Sequence, residues 1–407
     1  MSRLLRSARS RRAARSARGR SGFTLIELMV ALTLAAVIIG TVFTLGGASA
    51  RHFQEQQRVA QLQLATRLAL DRVRRDVSLA GLMATPDSRR EQRCQEPASP
   101  VQAFSLIDDD AAGRAALATI PAAALNGVHA DRLRLVGNYV TSDQYLVRSL
   151  DSAGSTAFLQ TQWQGFRRSF AADANATTFD DDLFQQVFAE GRMLHLRTQQ
   201  GQHFFVTVTG ASIAGDAATV TFSPSIGVGG GCVVGLAEMA TIAPITQVEY
   251  RIDQPLAGTP FEITGDRAEI TGPNTVLVRE ELTLGTDIAV AGTYRAVLEW
   301  AVLFDVDVLA DTAAIGTTPP DVRLFDDANA QAQVDARPGS VRSARITLAG
   351  RSPEQDPRFP WPTDWAGARP GDQPLSRFLV FPDRPGATRV RVQTTEVFIP
   401  NVAQRGM

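Results

Sequence analysis

The sequence predicts an α+β protein, one long N-terminal α-helix followed by a mostly antiparallel, β-rich body. Three observations predict it. From Phe23 to Gly47 the chain is apolar apart from Glu27. A helical spacing of small and aliphatic residues continues beyond that run to about Ala80. After Pro86 the pattern changes to short alternating segments separated by Gly, Pro, Asp and Asn, which is the punctuation of strands and turns. The 407 residues, 44% hydrophobic and 20% charged, are those of an ordinary folded chain.

The first 22 residues carry eight arginines and no acid. They precede the run FTLIELMVALTLAAVIIGTVFTLGG. A helix of roughly 20 apolar residues, rising about 1.5 Å each, crosses a hydrocarbon core. Arginines upstream of such a span stay cytoplasmic, which directs its C-terminal end outward. An ordinary secretory signal places small residues after the apolar run, whereas here Gly22 stands before it. An uncleaved signal anchor accounts for the hydrophobicity and the orientation but leaves Glu27 unexplained. A carboxylate inside an apolar segment costs about 2.5–3.5 kcal/mol on insertion scales, so a partner is expected for it.

Beyond the run, Leu62, Ala65, Ala69, Val73, Val77 and Ala80 recur at steps of three or four, with Gln61, Arg67, Asp71, Arg74 and Arg75 largely elsewhere. This half of the helix is amphipathic, and Gly81 and Pro86 mark its end. A helix from Phe23 to about Leu79 is near 85 Å long at about 1.5 Å per residue, far beyond the length usual in a globular domain.

The residues Ser21-Gly22-Phe23-Thr24-Leu25-Ile26-Glu27-Leu28-Met29 closely resemble the type IV prepilin processing motif. In that family a prepilin peptidase cuts after the glycine and methylates the new N-terminus. The resemblance implies cleavage between Gly22 and Phe23, N-methylation of Phe23, a filament-assembly role for Glu27, and a pilin-like fold. Cleavage exposes an α-amine, and the carboxylate of a neighbouring subunit can neutralise it in lipid or in a filament core. Many members carry a proline near the position of Thr44; this chain does not, and Gly46-Gly47 are expected to loosen the helix instead. The run Ala69 to Gly81, with Arg75-Asp76 ahead of Ala80-Gly81, is similar to the end of this helix in W-type minor pilins (the PilW family). For any single arginine there, a solvated helix face is the simpler reading.

Strands are expected at Leu133–Val136, Phe204–Val208, Val220–Phe222, Val248–Ile252 and Val276–Val278. The clearest alternation sets Trp300, Val302, Phe304, Val306 and Val308 against Glu299, Ala301, Leu303, Asp305 and Asp307, and Ala344, Ile346 and Leu348 against Ser343, Arg345 and Thr347. Val390 and Val392 share one face while Val397 and Ile399 share the other, so a bulge or register change is expected between them. An antiparallel sheet packed on the amphipathic half of the helix is the economical arrangement. The stretches Ile245–Tyr250, Val341–Ile346 and Thr395–Asn401 are similar in character to the body of large W-type minor pilins. The expected division is a leader at 1–22, an apolar helix at 23–47, its amphipathic continuation at 48–81, an enlarged β-rich insertion or subdomain at 82–244, and a C-terminal β-rich domain at 245–407.

Several chemistries are excluded or unsupported. All 41 basic residues are arginine, which removes a Walker-type phosphate loop, a Schiff-base site and a lysine nucleophile. The run Gly227 to Cys232 therefore reads as a flexible loop. Without the leader, 33 arginines face 42 acids, a formal charge of −9, which argues against nucleic-acid binding through bulk charge. Cys94 and Cys232 are too few for a zinc site and form one possible disulfide. His52, His129, His195 and His203 show no metal-ligand spacing, and His195 and His203 are expected at solvent or at the edge of the core. The triplets Asp108–Asp110 and Asp180–Asp182 read as calcium ligands or as solvated turns, with no EF-hand pattern. Phe359 to Trp365 is a proline-broken aromatic loop whose Trp361 and Trp365 either contact a partner or cover the sheet edge.

The resulting expectation is a non-enzymatic filament subunit without cofactor or metal, a minor pilin that primes or supports a type IV pilus. Its partners would be the prepilin peptidase, other minor pilins and the major pilin. It would sit in the inner membrane as a single-pass protein with its body in the periplasm, then in the pilus at the cell surface. A J-type pseudopilin of type II secretion shares the same N-terminus, and a signal-anchored periplasmic enzyme is the remaining alternative.

Overall fold

The computed structural model describes residues 23–90, 101–126, 129–171, 178–227, 238–313, 319–361 and 376–403. The chain groups into two units, residues 1–57 and 58–407. Helix α1 (Leu25–Ser78) supplies the described part of the first unit and opens the second.

In the first unit the 23-residue stretch Leu25–Gly47 is long and apolar enough to cross a membrane, and none of it is buried. Its polar side chains turn inward on the helix: the hydroxyls of Thr33, Thr41 and Thr44 donate to the carbonyls of Val30, Ile38 and Thr41 at 2.8–2.9 Å. Each hydroxyl is thereby satisfied without water, as a lipid environment requires. The loosening expected at Gly46-Gly47 is not found, because α1 runs unbroken through both residues. A glycine lowers helix propensity by about 1 kcal/mol but removes no backbone hydrogen bond.

In the second unit α1 buries Ala69, Leu70, Val73 and Val77, and Ala80 is buried just past its end. Ala65, expected on this stripe, is exposed; Thr66 is buried in its place, its hydroxyl donating to the Leu62 carbonyl at 2.8 Å. Past the helix end Gly81 takes φ +77°, and its N–H donates to the Val136 carbonyl at 2.8 Å. That left-handed residue turns the chain into the sheet at little steric cost.

The remaining elements are β1 (Phe104–Ile107), α2 (Ala111–Leu117), α3 (Ala123–Asn126), β2 (Arg132–Gly137), β3 (Tyr145–Leu150), β4 (Thr156–Leu159), α4 (Gln164–Phe170), α5 (Asp181–Val187), β5 (Met193–Arg197), β6 (His203–Ala214), β7 (Ala217–Ser223) and β8 (Thr241–Asp253). They continue as α6 (Asp266–Thr271), β9 (Val276–Leu282), β10 (Arg295–Glu299), β11 (Ala301–Asp311), β12 (Val322–Phe325), α7 (Asp327–Ala336), β13 (Val341–Arg351), β14 (Arg377–Phe378), β15 (Thr388–Phe398) and α8 (Pro400–Ala403).

Strand β8 belongs to two structures. Its C-terminal half pairs with β2 and β9, extending to β1 and β10 as an antiparallel sheet. Its N-terminal half pairs with both β3 and β5. Since β3 pairs β4, β4 pairs β7, β7 pairs β6 and β6 pairs β5, those six strands close into an antiparallel barrel, which has no free edges along its closed circuit. A separate five-stranded sheet runs β12-β11-β13-β15-β14.

The buried face of α1 shares one core with Phe104, Leu133, Val248 and Tyr250 of the first sheet and with Val302, Phe304, Ile346 and Leu348 of the five-stranded sheet. The barrel has its own core, filled by Phe166 and Phe170 of α4, by Phe184 of α5 with the adjoining Phe188, and by Tyr145. These rings pack at centroid distances of 4.8–6.4 Å in tilted and edge-on pairs, the geometry that aromatic quadrupoles favour.

The strands expected at 133–136, 204–208, 220–222, 248–252, 276–278 and 344–348 lie in observed ones, whereas the alternation expected from Glu299 to Val308 breaks at Trp300, which takes φ +57° in the turn between β10 and β11. The bulge expected before Val397 is not found: β13 and β15 pair without a shift from Arg351 opposite Val390 to Ser343 opposite Phe398. Val390 and Val397 lie on opposite faces of one regular strand, and both are buried. Cover on both faces, rather than a slip of register, accounts for the change of phase.

Candidate functional site

The N-terminus of α1 is a capping box built from two residues. The Thr24 N–H and hydroxyl both donate to Glu27 Oε2, at 2.9 and 3.0 Å, while the Glu27 N–H donates to Thr24 Oγ1 at 3.2 Å. The spacing Thr-x-x-Glu produces this reciprocal arrangement, which satisfies amide groups that the first turn would otherwise leave bare. A carboxylate at the third helical position also complements the positive end of the helix dipole. Glu27 is thus fixed beside the start of the helix, four residues from Phe23, which is 89% exposed. Gly22, the other residue of the expected cleavage junction, lies outside the described residues.

Downstream, α1 is tied to the body by a buried carboxylate. Asp76 is 3% exposed; its Oδ2 accepts from Arg279 Nε of β9 at 2.6 Å and from the Tyr250 hydroxyl of β8 at 2.8 Å. The Tyr139 hydroxyl donates to the Asp76 carbonyl at 3.0 Å. Burial first, and then the Asp76 charge, push the Tyr250 phenol well above its ordinary range, so it remains a donor to the carboxylate. The reading of the arginines at this helix end as a solvated face holds for Arg72, Arg74 and Arg75, which are exposed, whereas Asp76 among them is buried. The signal was present in the sequence: Asp76 lies one position from Val77 and three from Val73, on the buried stripe itself.

Other expected residues take structural places. His195 and His203 are buried rather than solvent-facing or at the core edge, with His195 Nε2 2.8 Å from His203 Nδ1 and His195 Nδ1 2.7 Å from the Met83 carbonyl. Pairing of β5 with β6 brings them together, since His195 stands opposite Phe205, two residues from His203. The Asp triplets are helix caps more than solvated turns. Asp110 accepts from the N–H groups of Ala112 and Gly113 at 3.0 Å and pairs with Arg132 at 2.9 Å. Asp180 accepts from the Leu183 N–H at 2.9 Å. Among the described residues no group of three or more His, Cys, Asp or Glu side chains is placed to hold a metal ion.

Trp361 is half-buried, next to Phe359, whose ring lies under the guanidinium groups of Arg377 and Arg389 at 4.3 and 4.4 Å. Trp365, Cys94, Cys232 and most of the run Gly227 to Cys232 lie outside the described residues. One buried group had no sequence signal. Arg351 is fully buried, donates to the carbonyls of Thr271, Pro273, Ser352 and Pro353, and stacks on Trp300 at 4.5 Å. Burial pulls its guanidinium down to about 9.

No curated protein matches the chain as a relative. A type IV-like pilin from Thermus thermophilus is similar in structure at 14% identity, over 55% of this chain and 93% of that one, with a TM-score of 0.18, too weak a likeness to bear on the fold. Residues 17–43 match the prokaryotic N-terminal methylation motif. That match spans the Gly22-Phe23 junction, the capping box and most of the unburied apolar stretch, so the N-terminal segment carries a prokaryotic N-terminal methylation motif.

Proposed function

We propose that the protein is a minor pilin of a type IV pilus, a structural subunit that primes or supports filament assembly after prepilin peptidase processing. One observation carries the reading: the methylation motif coincides with the capped start of α1 and its apolar stretch, none of it buried, which bears Glu27 in its first turn. Cleavage after Gly22 would free an α-amine at Phe23, to be methylated. In the membrane, Glu27 is held by its own Thr24; in a filament its second oxygen can take the α-amine of a neighbouring subunit, a buried pair that fixes axial register. The arginine-rich leader would hold the precursor in the inner membrane with its body in the periplasm. The W-type assignment rests on the helix end around Arg75-Asp76 and on the character of the C-terminal strands.

The same proposal includes a Cys94–Cys232 bridge, because export carries the body into an oxidising compartment; alkylation of both thiols in envelope-derived protein would discard it. Trp361 and Trp365 are the proposed contact with a neighbouring pilin, and unchanged co-purification of minor pilins with the doubly alanine-substituted chain would remove that role.

The deciding experiment is the intact mass and N-terminal sequence of the protein recovered from the cell envelope. A chain that begins at methylated Phe23 is the expected result. A chain that begins at Met1 would reject prepilin processing and leave a signal-anchored protein.

A further inference from the structure

Carboxylates converge where the start of β2, strand β11 and the first turn of α7 meet. Ala130 forms a parallel bridge with Phe304, and the neighbouring Asp131 carboxylate spans the joint, accepting from the Asp109 N–H at 3.0 Å and from the Val306 N–H at 2.8 Å. Asp305 and Asp307 alternate with the buried Phe304 and Val306, on the face of β11 away from the core. Asp326 and Asp327 open α7, and Asp108 directly follows β1, its N–H donating to Gln331 Oε1 of α7 at 3.0 Å.

The positive groups facing this set are few. Arg345 of β13 stands opposite Asp307 in register, and Arg114 and His129 act on Asp108 from beside it. Arg114 is already paired with Asp109 at 3.1 Å, and Arg132 with Asp110 at 2.9 Å. Among the described residues, Asp108, Asp131, Asp305 and Asp307 make no ion pair within 4 Å. Partly desolvated like charges without paired cations repel one another more strongly than they would in open water.

We propose that this junction is a proton-operated seam: protonation of its carboxylates tightens α7 and the start of β2 onto β11, and their ionisation loosens both. The direction follows from burial. Desolvation, and then Asp305, push Asp307 up to about 6. Desolvation pushes Asp131 up to about 7 against its two backbone donors, and Asp305 and Asp108 are raised as well. A carboxylate raised in the folded state binds more protons there than in the unfolded chain. Its contribution is therefore full below an unfolded value of about 4 and is lost as pH rises through about 6 to 7. The device stands apart from the filament reading, since none of its groups lies on the N-terminal helix.

The test is amide hydrogen exchange of the full-length, detergent-solubilised protein between pH 5 and pH 8, corrected for the intrinsic rate. Protection of α7 should fall on the order of tenfold across that range, since each tenfold step in an equilibrium matches a pKa raised by about one. In the Asp305→Asn/Asp307→Asn chain the dependence should shrink to the part that Asp131 and Asp108 supply, while Asp307→Glu should retain it in full. Flat protection in the unaltered chain overturns the proposal, and so does an undiminished pH dependence in the doubly substituted one.

Discussion

Glu27 and Asp76 lie on one helix and do opposite things. Glu27 is exposed, and among the described residues its oxygen is held by Thr24 alone, through bonds of 2.9 and 3.0 Å within the first turn. Replacing it with Ala or Gln should leave the second unit folded and lower incorporation into filaments, measured as the ratio of assembled to membrane-bound subunit. Normal incorporation of both variants would reject the pairing role. Asp76 is instead the buried partner of Arg279 and Tyr250. Removing one member of a buried pair leaves an uncompensated charge and costs about 3–5 kcal/mol. Asp76→Ala should therefore lower the denaturation midpoint sharply, and Asp76→Ala/Arg279→Met should recover much of the loss. If the double variant is no more stable than the single one, the destabilisation comes from packing and not from the stranded guanidinium.

At the scale of elements, legibility follows period and separation. Helix α1 could be read because a 3.6-residue period persists over its second half, and β11 and β13 because each has one apolar face. The barrel could not. Its closure depends on β8, where Ile242 through Tyr250 are all buried and offer no alternation, and on its pairing with β3 and β5, which lie tens of residues earlier. The phenylalanines of α4 and α5 were equally silent, since helices of seven residues are too short to show a stripe. Phe184 makes ring contacts with Phe166, Phe170 and Phe188, so Phe184→Ala should cost about 3–5 kcal/mol. Because the barrel core is a separate cluster, hydrogen exchange should show the loss concentrated in β3 to β7. Uniform deprotection that extends through β11, β13 and β15 would show instead that the two cores melt as one.

The molecule divides where the burial of α1 begins. Between Leu25 and Gln57 no described side chain of the helix is buried, whereas from Thr66 onward Ala69, Leu70, Val73, Asp76 and Val77 enter the core of the second unit. A fragment of residues 58–407 keeps each of these groups and discards the apolar stretch, so it should be soluble without detergent and give a cooperative thermal transition. A fragment that begins at Leu79 loses the three large buried aliphatic side chains Leu70, Val73 and Val77 and the partner of Arg279 together. Each large aliphatic contributes about 1.5–3 kcal/mol by burial, and the stranded guanidinium adds a further few, against a total stability of roughly 5–15 kcal/mol for a domain. The shorter fragment should therefore fail to give a cooperative transition. If both fragments melt alike, residues 58–78 are dispensable to the body, and α1 is an appendage along its whole length instead of a helix half given to assembly and half to the fold.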